Sequence, residues 1–293
     1  MVFKLCRKYV ICAITHASLR IRRESDSRLV IFVMIAWTKS RNYLKGSMKM
    51  ISFENTEVFG WEAAIRGMRN PMNSWEKSDS FRCGDIICGE CPLFASDDDD
   101  EKCRKIKVGK LVIGENDLKL MQNLAKSGTD HSKFLRMITV TADITAPRYW
   151  WTEFDTYKVG TVRNSCSTMH KIHAKEFDID DFSCEKMHVV SWETEEGESR
   201  SYDTSLVLDH VITALNIMRE RYNATKDKDC WWQMIQLLPQ SYNQRATVQL
   251  NYAVLRSIYH SDRKHHKLDE WRIGFMEWIE SLPYSELITG AFF

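Results

Sequence analysis

The most restrictive feature of the sequence is an alternating segment at residues 134–144. The segment is rich in β-branched residues, and apolar side chains alternate along it with polar ones. The apolar set is Ile138, Val140, Ala142 and Ile144, and the polar set is Thr139, Thr141 and Asp143. This period of two predicts a strand with one buried face. Pro147 cannot donate a backbone hydrogen bond and predicts the end of the strand.

Helical patterns surround this strand. Apolar residues recur at three- and four-residue spacing along a long segment, residues 206–222, and predict one face of an amphipathic helix there. The same spacing predicts helices over residues 116–125, 148–157, 245–259 and 270–279, with a short apolar segment at 231–238 that ends before Pro239. Residues 50–80 predict a strand or loop followed by a short helix, and residues 187–192 predict a loop or strand. The mixture indicates an α+β fold.

The charge distribution argues against a nucleic-acid-binding protein. Residues 1–47 contain ten Lys and Arg and two acids, whereas residues 48–293 contain 31 Lys and Arg and 38 acids, a net charge of about −7. Affinity for nucleic acid depends on clustered positive charge, which the larger part lacks. The longest uninterrupted apolar run, residues 29–37, is about half the length that a bilayer requires. We therefore expect no nucleic-acid partner and no membrane span.

Residues 1–47 differ in composition from the rest of the chain. A targeting segment, a disordered basic arm and sequence that is not normally translated are the three interpretations. Lys45-Gly46-Ser47 precede Met48 and Met50, and codons for Lys-Gly can spell the purine-rich ribosome-binding site of a bacterial gene. We therefore favour a non-native extension over residues 1–47 and a domain over residues 48–293.

Nine cysteines are too widely spread in a chain of 293 residues for a secreted disulfide scaffold, and they favour a reducing cytoplasm. Four of them lie in a polar insert at residues 83–104, namely Cys83, Cys88, Cys91 and Cys103. One CxxC pair with two flanking thiols can supply the four thiolates of a tetrahedral structural zinc site. Zinc binding would then provide folding energy that the insert cannot obtain from a core. Free reduced cysteines and a disulfide pair are the alternatives.

Three stretches carry a resemblance to a known family. Residues 127–134 read Ser-Gly-Thr-Asp-His-Ser-Lys-Phe and lead into the predicted strand. After the strand come Thr156-Tyr157-Lys158 and then Thr161, Asn164, Ser167, Met169 and His170. Farther along, Leu238-Pro239 precede a series formed by Asn251, Leu255, Arg263, His266 and Trp271. In order and spacing, these stretches resemble the motifs of the flavin-dependent thymidylate synthases (ThyX, thymidylate synthase complementing proteins).

The resemblance covers about residues 112–280 and implies a mixed or antiparallel sheet flanked by long helices, assembled as a homotetramer. It also implies FAD as cofactor, and the methylation of dUMP to dTMP with methylene-tetrahydrofolate and NADPH. The family needs no protein nucleophile, because the protein mainly binds and orients the cofactor and substrates. A diverged nucleotide enzyme of this kind would suit a bacterial or phage genome.

The resemblance assigns cofactor binding to Thr156, Tyr157, Lys158, Asn164, Asn251 and His131. The first three occupy the positions of the family's Arg-His-Arg signature, so Lys158 alone keeps a formal charge there, without the bidentate fork of arginine. Tyr157 is expected either to stack on a ring of the ligand or to pack within a helix. Asn251 is expected on the buried side of the helix predicted over 245–259, where its amide must bond a ligand or nearby backbone.

Substrate binding is assigned by the resemblance to Ser167, His170, Arg163 and Arg263. Ser167 matches the family serine beside the dUMP phosphate, but Met169 replaces the arginine that follows it. His170 or Arg163 would have to replace that charge, and a surface or capping role for either is the alternative. Arg263 matches a dUMP-binding arginine, with a surface ion pair as its alternative.

These departures keep other functions open. A catalytically inactive relative that still binds a nucleotide or flavin, or only oligomerises, is the second hypothesis. A zinc-stabilised interaction protein built on the same fold is the third.

Overall fold

Two strands with alternating apolar residues lie at the centre of the sheet in the computed structural model, which describes residues 51–84 and 109–291. The strands are β1 (Ser52–Phe59), β2 (Phe81–Arg82), β3 (Leu111–Val112), β4 (Thr139–Pro147), β5 (Val162–Ser165), β6 (Val189–Glu193), β7 (Ser199–Asp203) and β8 (Asn243–Asn251). The order β1-β4-β8-β5 forms a four-stranded antiparallel sheet, while β2-β3 and β6-β7 form separate two-stranded ribbons.

Most of the helices pack against one face of the large sheet, and two form a smaller core apart from it. The helices are α1 (Trp61–Arg69), α2 (Glu115–Lys126), α3 (Arg148–Phe154), α4 (Thr204–Thr225), α5 (Lys228–Leu237), α6 (Tyr252–His260), α7 (Met276–Glu280) and α8 (Glu286–Thr289). Short 3-10 turns lie at Asn70–Met72, Trp75–Lys77, Lys133–Arg136, Ile179–Asp181 and Asp262–His265, and a π-helical turn, Glu270–Phe275, leads into α7. The predicted α+β fold class is confirmed.

The core forms where the apolar face of the sheet meets these helices. Strands β4 and β8 bury facing pairs, such as Val140 opposite Leu250 and Ala142 opposite Val248. Aromatic side chains from α3 and the π-helical turn complete this core, with the rings of Trp150 and Trp271 stacked 4.7 Å apart. Each such ring contributes about 1.5–3 kcal/mol through burial. A smaller core between α4, α5 and residues 172–182 is built from Ile172, Phe177, Phe182, Leu208, Leu215, Met234 and Leu238.

The opposite face of the sheet is polar. The carboxylate of Asp143 accepts hydrogen bonds from Thr247 (2.5 Å), Asn55 (2.8 Å) and Arg245 (2.9 Å). These bonds, led by the one from Thr247, hold the pKa of Asp143 well below its usual range. The face therefore carries a polar network with its charges paired.

A buried ion pair fastens α1 to α2. Arg69 and Asp117 expose 4% and 0% of their side chains, and Arg69 Nε lies 2.6 Å from Asp117 Oδ1. The hydroxyls of Ser78 and Ser80 each donate to Asp117 Oδ2 at 2.6 Å. Arg69 also donates to two backbone carbonyls, those of Ser74 and Lys77. Both charges are thus compensated within the fold.

The helix predicted over residues 245–259 is wrong in its first half. Residues 243–251 form β8, and the helix begins only at Tyr252. Ala246, Val248 and Leu250 are buried and alternate with exposed residues, which is the period of a strand. The prediction extended the helical spacing around Leu255 back into this segment.

The other predicted elements differ mainly at their ends. The helix predicted over 206–222 is confirmed as α4, and that over 116–125 as α2. The strand predicted from residue 134 begins at Thr139, because residues 133–136 form a 3-10 turn. The helix predicted over 148–157 ends at Phe154. The loop or strand predicted over residues 187–192 overlaps β6 (Val189–Glu193), one strand of a hairpin.

All described residues belong to one compact unit, Lys49–Phe293. The interpretation of residues 1–47 as a non-native extension lies outside the described residues and stays a prediction. Within the described ranges, every helix is too short or too polar to cross a bilayer.

Candidate functional site

The guanidinium of Arg263 lies at the centre of a cluster beside the C-terminal end of α3. Its Nε donates to the hydroxyl of Tyr157 (2.8 Å), and its Nη1 donates to the carboxylate of Glu153 (3.1 Å). The guanidinium carbon lies 4.8 Å from the ring centre of Trp271 and 5.4 Å from that of Tyr157. Glu153, Tyr157, Arg263 and Trp271 are called the Arg263 cluster below.

The contacts of Arg263 keep its side chain charged and fixed. Burial acts to lower the pKa of Arg263, but hydrogen bonds and charge interactions with Tyr157 and Glu153 outweigh burial and raise that pKa above its ordinary value. Its Nη2 donates to no group within the described ranges, so one edge of the guanidinium remains available. The cluster therefore offers a pre-positioned planar donor.

The three residues at the predicted Arg-His-Arg positions differ in their surroundings. The hydroxyl of Thr156 donates to the carbonyl of Glu153 (2.7 Å) and closes the end of α3. Tyr157 is half-buried and belongs to the Arg263 cluster. Lys158 is exposed, and it forms no ion pair with any residue that the structure describes. A ligand here would meet the ring of Tyr157 and the ammonium of Lys158.

Asn251 joins the loop after α3 to the start of α6. It ends β8 and caps α6, with its Oδ1 accepting from the backbone N–H of Val254 (3.0 Å), and does not lie within a helix as predicted. Its Nδ2 faces Gly160, because a Cβ added to Gly160 would lie 3.0 Å from Nδ2. Gly160 also has φ +76°, which favours glycine. Glycine at position 160 therefore suits both the left-handed backbone and the close approach of the loop to Asn251.

One buried polar atom of this loop and one of the Arg263 cluster lack a hydrogen-bond partner among the described residues. They are the hydroxyl oxygen of Thr161, the residue after Gly160, and the indole Nε1 of Trp271. Within the described residues, Asn251 Nδ2 also donates to no acceptor. Buried polar groups in folded proteins normally have partners. The atoms of Thr161 and Trp271 are enclosed by the fold, whereas Asn251 is half-buried, so its amide is the donor of this group that a polar ligand can reach.

Arg163 and Asn164, which are neighbours in β5, point to opposite faces of the sheet. Arg163 is bound on the helical side, with Nη1 2.6 Å from Asp155, Nη2 3.0 Å from Gln244 and its guanidinium 4.0 Å above the ring of Trp151. Asn164 is exposed and lies opposite Thr247 on the polar face. The structure therefore does not bring these two predicted ligand residues together.

Ser167 and His170 form a turn of their own. The hydroxyl oxygen of Ser167 accepts from the backbone N–H groups of Met169 (3.2 Å) and His170 (3.0 Å). The indole of Trp231 in α5 donates to the carbonyl of Met169 (3.0 Å) and holds the turn against that helix. These two backbone N–H groups, which could otherwise donate to a phosphate, therefore already donate to Ser167.

His131 stands apart from the other predicted site residues. It is exposed in the turn before the 3-10 segment Lys133–Arg136. Across the described ranges, its ring makes no hydrogen bond or ion pair.

The predicted zinc site falls largely outside the described residues, since Cys88, Cys91 and Cys103 lie there. Cys83 is a half-buried free thiol. Within residues 51–84 and 109–291, no group of three or more His, Cys, Asp and Glu side chains is arranged to hold a metal ion. The zinc assignment therefore gains no support from the structure.

Sequence reasoning missed the two acids that pair with the predicted arginines. Glu153 binds Arg263, 110 residues away, and Asp155 binds Arg163 across a loop. The local sequence shows only acids near the end of a helix, and only the tertiary fold reveals their partners. Each predicted arginine is thus neutralised within its own chain.

The fold is similar to crystal structures of the flavin-dependent thymidylate synthase ThyX from Helicobacter pylori complexed with FAD and dUMP. One matches with a TM-score of 0.51 and 15% sequence identity over 82% of this chain and 96% of that chain. A second matches with a TM-score of 0.51 and 14% identity over 82% of this chain and 95% of that chain. The similarity at this identity shows a shared fold, and the predicted ThyX-like fold is confirmed.

Neither a protein-family model nor a curated protein matches the sequence.

Proposed function

We propose that the protein is a flavin-dependent enzyme of the thymidylate synthase type, which binds FAD and methylates dUMP to dTMP with methylene-tetrahydrofolate and NADPH. The observation that carries this proposal is the convergence of the loop after α3 on Asn251 and Arg263, within a ThyX-like fold. Both crystal structures are of one Helicobacter pylori protein, which has this fold and is complexed with FAD and dUMP, and this supports a nucleotide site here.

In this proposal, the residues around Asn251 hold the cofactor. Lys158 supplies positive charge to the pyrophosphate, Tyr157 offers an aromatic face and Asn251 Nδ2 donates a hydrogen bond, while Thr156 contributes mainly by ending α3. Bound FAD, once reduced, supplies hydride, and the side chains provide position and charge. Cofactor binding by Asn164 and His131 stays a prediction, because the fold of a single chain does not bring either side chain to this loop.

The nucleotide is proposed to lie between Arg263 and the Ser167 turn. Arg263 offers its free Nη2, and His170 is exposed at the end of the turn. Arg163 contributes through its position beside Trp151 rather than as a free cation. Together, these groups recognise a pyrimidine nucleotide more weakly than a set of unpaired arginines would.

A homo-oligomer, which we propose is a tetramer, would complete such a divided site. Helix α4 is apolar around much of its circumference, yet Leu206, Val207 and Ile217 are exposed. A helix that is apolar all round is normally buried, so this surface supports assembly. Light scattering on the purified full chain tests the state, and a monomer at micromolar concentration would refute it. The free thiols of Cys166 and Cys184 are compatible with the proposed reducing cytoplasm.

One observation favours a second candidate, a catalytically inactive relative that binds a flavin or nucleotide or only oligomerises. Arg163 and Arg263 are both paired with carboxylates, and Ser167 occupies the N–H groups of its own turn. A site with its donors occupied in this way can bind a ligand without stabilising a transition state.

Growth of a thymidine-requiring bacterium tests the proposed function. The full chain, expressed without added thymidine, should restore growth, and its Lys158→Met variant should not. Rescue by both would place catalysis elsewhere in the protein. Flavin binding without rescue supports the second candidate, and absence of both rescue and flavin removes the enzyme proposal.

A further inference from the structure

The acid that holds Arg263 controls the charge of the site. The Glu153 side chain is 45% exposed, whereas the Arg263 side chain is 15% exposed, so solvent reaches the acid more readily than the cation that it pairs with. A ligand that approaches Arg263 from solvent therefore meets the Glu153 carboxylate as well as the guanidinium. For an anionic ligand, the carboxylate competes for Arg263 Nη1 and repels the ligand.

The surroundings give little charge with which to offset this repulsion. Asp155 forms an ion pair with Arg163 in the same way, with its Oδ2 2.6 Å from Arg163 Nη1. Arg163 and Arg263, which both lie beside the end of α3, are therefore each paired with a carboxylate. In the described loop after α3, Lys158 is a cation that has no carboxylate partner among the described residues. A phosphate monoester carries nearly two negative charges at neutral pH. The site in this form is better matched to a ligand group with one charge or none.

We propose that Glu153 is a specificity-determining residue, which holds Arg263 and keeps phosphate dianions away from that guanidinium, so that the monoester phosphate of the proposed substrate lies elsewhere in the site. The site accepts ligands that present a neutral or singly charged group to Arg263, such as a hydroxyl, a carbonyl or a phosphodiester. This inference rests on the site described under the proposed function but needs no catalytic step. Its test is therefore a binding measurement.

The test is equilibrium dialysis of the purified full chain with radiolabelled inorganic phosphate at low ionic strength. Glu153→Gln removes the charge with little change in shape, and Glu153→Asp keeps the charge. Glu62→Gln is the matched control, because Glu62 also forms a partly exposed ion pair, with Arg82 at 2.5 Å and side-chain exposures of 42% and 47%. All of these variants change partly exposed side chains, and circular dichroism checks that each is folded.

Glu153→Gln should bind phosphate roughly three- to tenfold more tightly than the wild-type chain, since one ion pair is released and one like charge is removed. Glu153→Asp and Glu62→Gln should stay within about twofold of wild type. Adding Arg263→Gln to Glu153→Gln should abolish the gain, because the released cation is then absent.

An unchanged affinity in Glu153→Gln, an equal gain in Glu62→Gln, or a gain that survives Arg263→Gln would overturn the inference. Absence of phosphate binding in every variant would overturn it too. Flavin content is measured separately on the same samples. A chain without flavin that shows the Glu153 effect refutes the proposed enzyme and leaves this inference standing.

Discussion

The side chain of Asn251 combines two roles that substitution can separate. Its Oδ1 caps α6 through the N–H of Val254 at 3.0 Å, and its Nδ2 faces Gly160 without an acceptor among the described residues. Asn251→Ala removes both groups. Asn251→Ser keeps an oxygen that can cap the helix but removes the amide N–H₂. The pair of variants therefore distinguishes the stability of α6 from ligand binding.

The expected magnitudes follow from the cap. Loss of a capping side chain costs about 1 kcal/mol, within a range of about 0.5–2 kcal/mol. In a unit of about 150–250 residues, about 1 kcal/mol lowers the melting temperature by about 2–4 °C. Asn251→Ala should therefore lower Tm by about 2–4 °C, and Asn251→Ser by less than about 1 °C, because serine is a comparable cap. Both variants should lower flavin occupancy.

Thermal unfolding followed by circular dichroism measures the first effect, and flavin absorbance per chain measures the second. If Asn251→Ala has the same Tm as the wild-type chain, the cap does not stabilise α6. If Asn251→Ser retains full flavin occupancy, Nδ2 is not a cofactor contact. Lower occupancy in Asn251→Ala alone would assign the flavin effect to loss of the cap.

Three further substitutions test other parts of the account. Lys158→Met should lower flavin occupancy more than Asn251→Ala does, because Lys158 is the cation of this loop that has no acid partner among the described residues. Equal flavin occupancy in the wild-type chain and Lys158→Met would contradict this. Asp117→Asn should destabilise the fold by about 3–5 kcal/mol in urea unfolding, because it leaves Arg69 buried without its charge partner. Burial alone would raise the pKa of Asp117, but hydrogen bonds from Ser78, Ser80 and Arg69 hold that pKa below its usual range. The ionised Asp117 therefore contributes stability above the pKa of an unfolded aspartate, and this contribution is lost as pH falls through the lower folded pKa. Over that acidic interval, the wild-type chain should lose more stability than Asp117→Asn. Parallel pH profiles of stability for the two chains would argue against a stabilising Arg69–Asp117 pair. Gly160→Ala should lower stability by about 1–2 kcal/mol, since alanine is strained at φ +76° and its Cβ would meet Asn251, and an unchanged Tm would refute the close approach.

Much of the fold could be predicted because single elements bury one face. The alternation around Val140 predicts β4, and the long spacing pattern around Leu215 predicts α4, since each pattern reflects burial that the structure shows. Strand β8 could not be separated from α6 in the same way. Apolar residues lie on both sides of Asn251, from Leu250 to Leu255, and the period of two changes to 3.6 within this one segment. Only pairing with β4 fixes the boundary at Asn251.

The resemblance locates candidate site residues along the chain but does not reveal their contacts. The places of Asn251 and Arg263 along the chain were identified by resemblance, and the loop near Gly160 does contact Asn251. Their partners were not predictable, because Glu153 and Arg263 are 110 residues apart and meet only in the folded chain. Ser167 likewise bonds its own turn, which a motif cannot reveal.

The central claim is that the loop after α3, Asn251 and the Arg263 cluster form a flavin site. The most direct measurement is the visible absorption spectrum of the purified full chain after incubation with FAD and removal of free cofactor. The account predicts flavin absorbance at one FAD per chain in the wild type and clearly less in Lys158→Met. A colourless wild-type protein, or equal flavin in both chains, would contradict it.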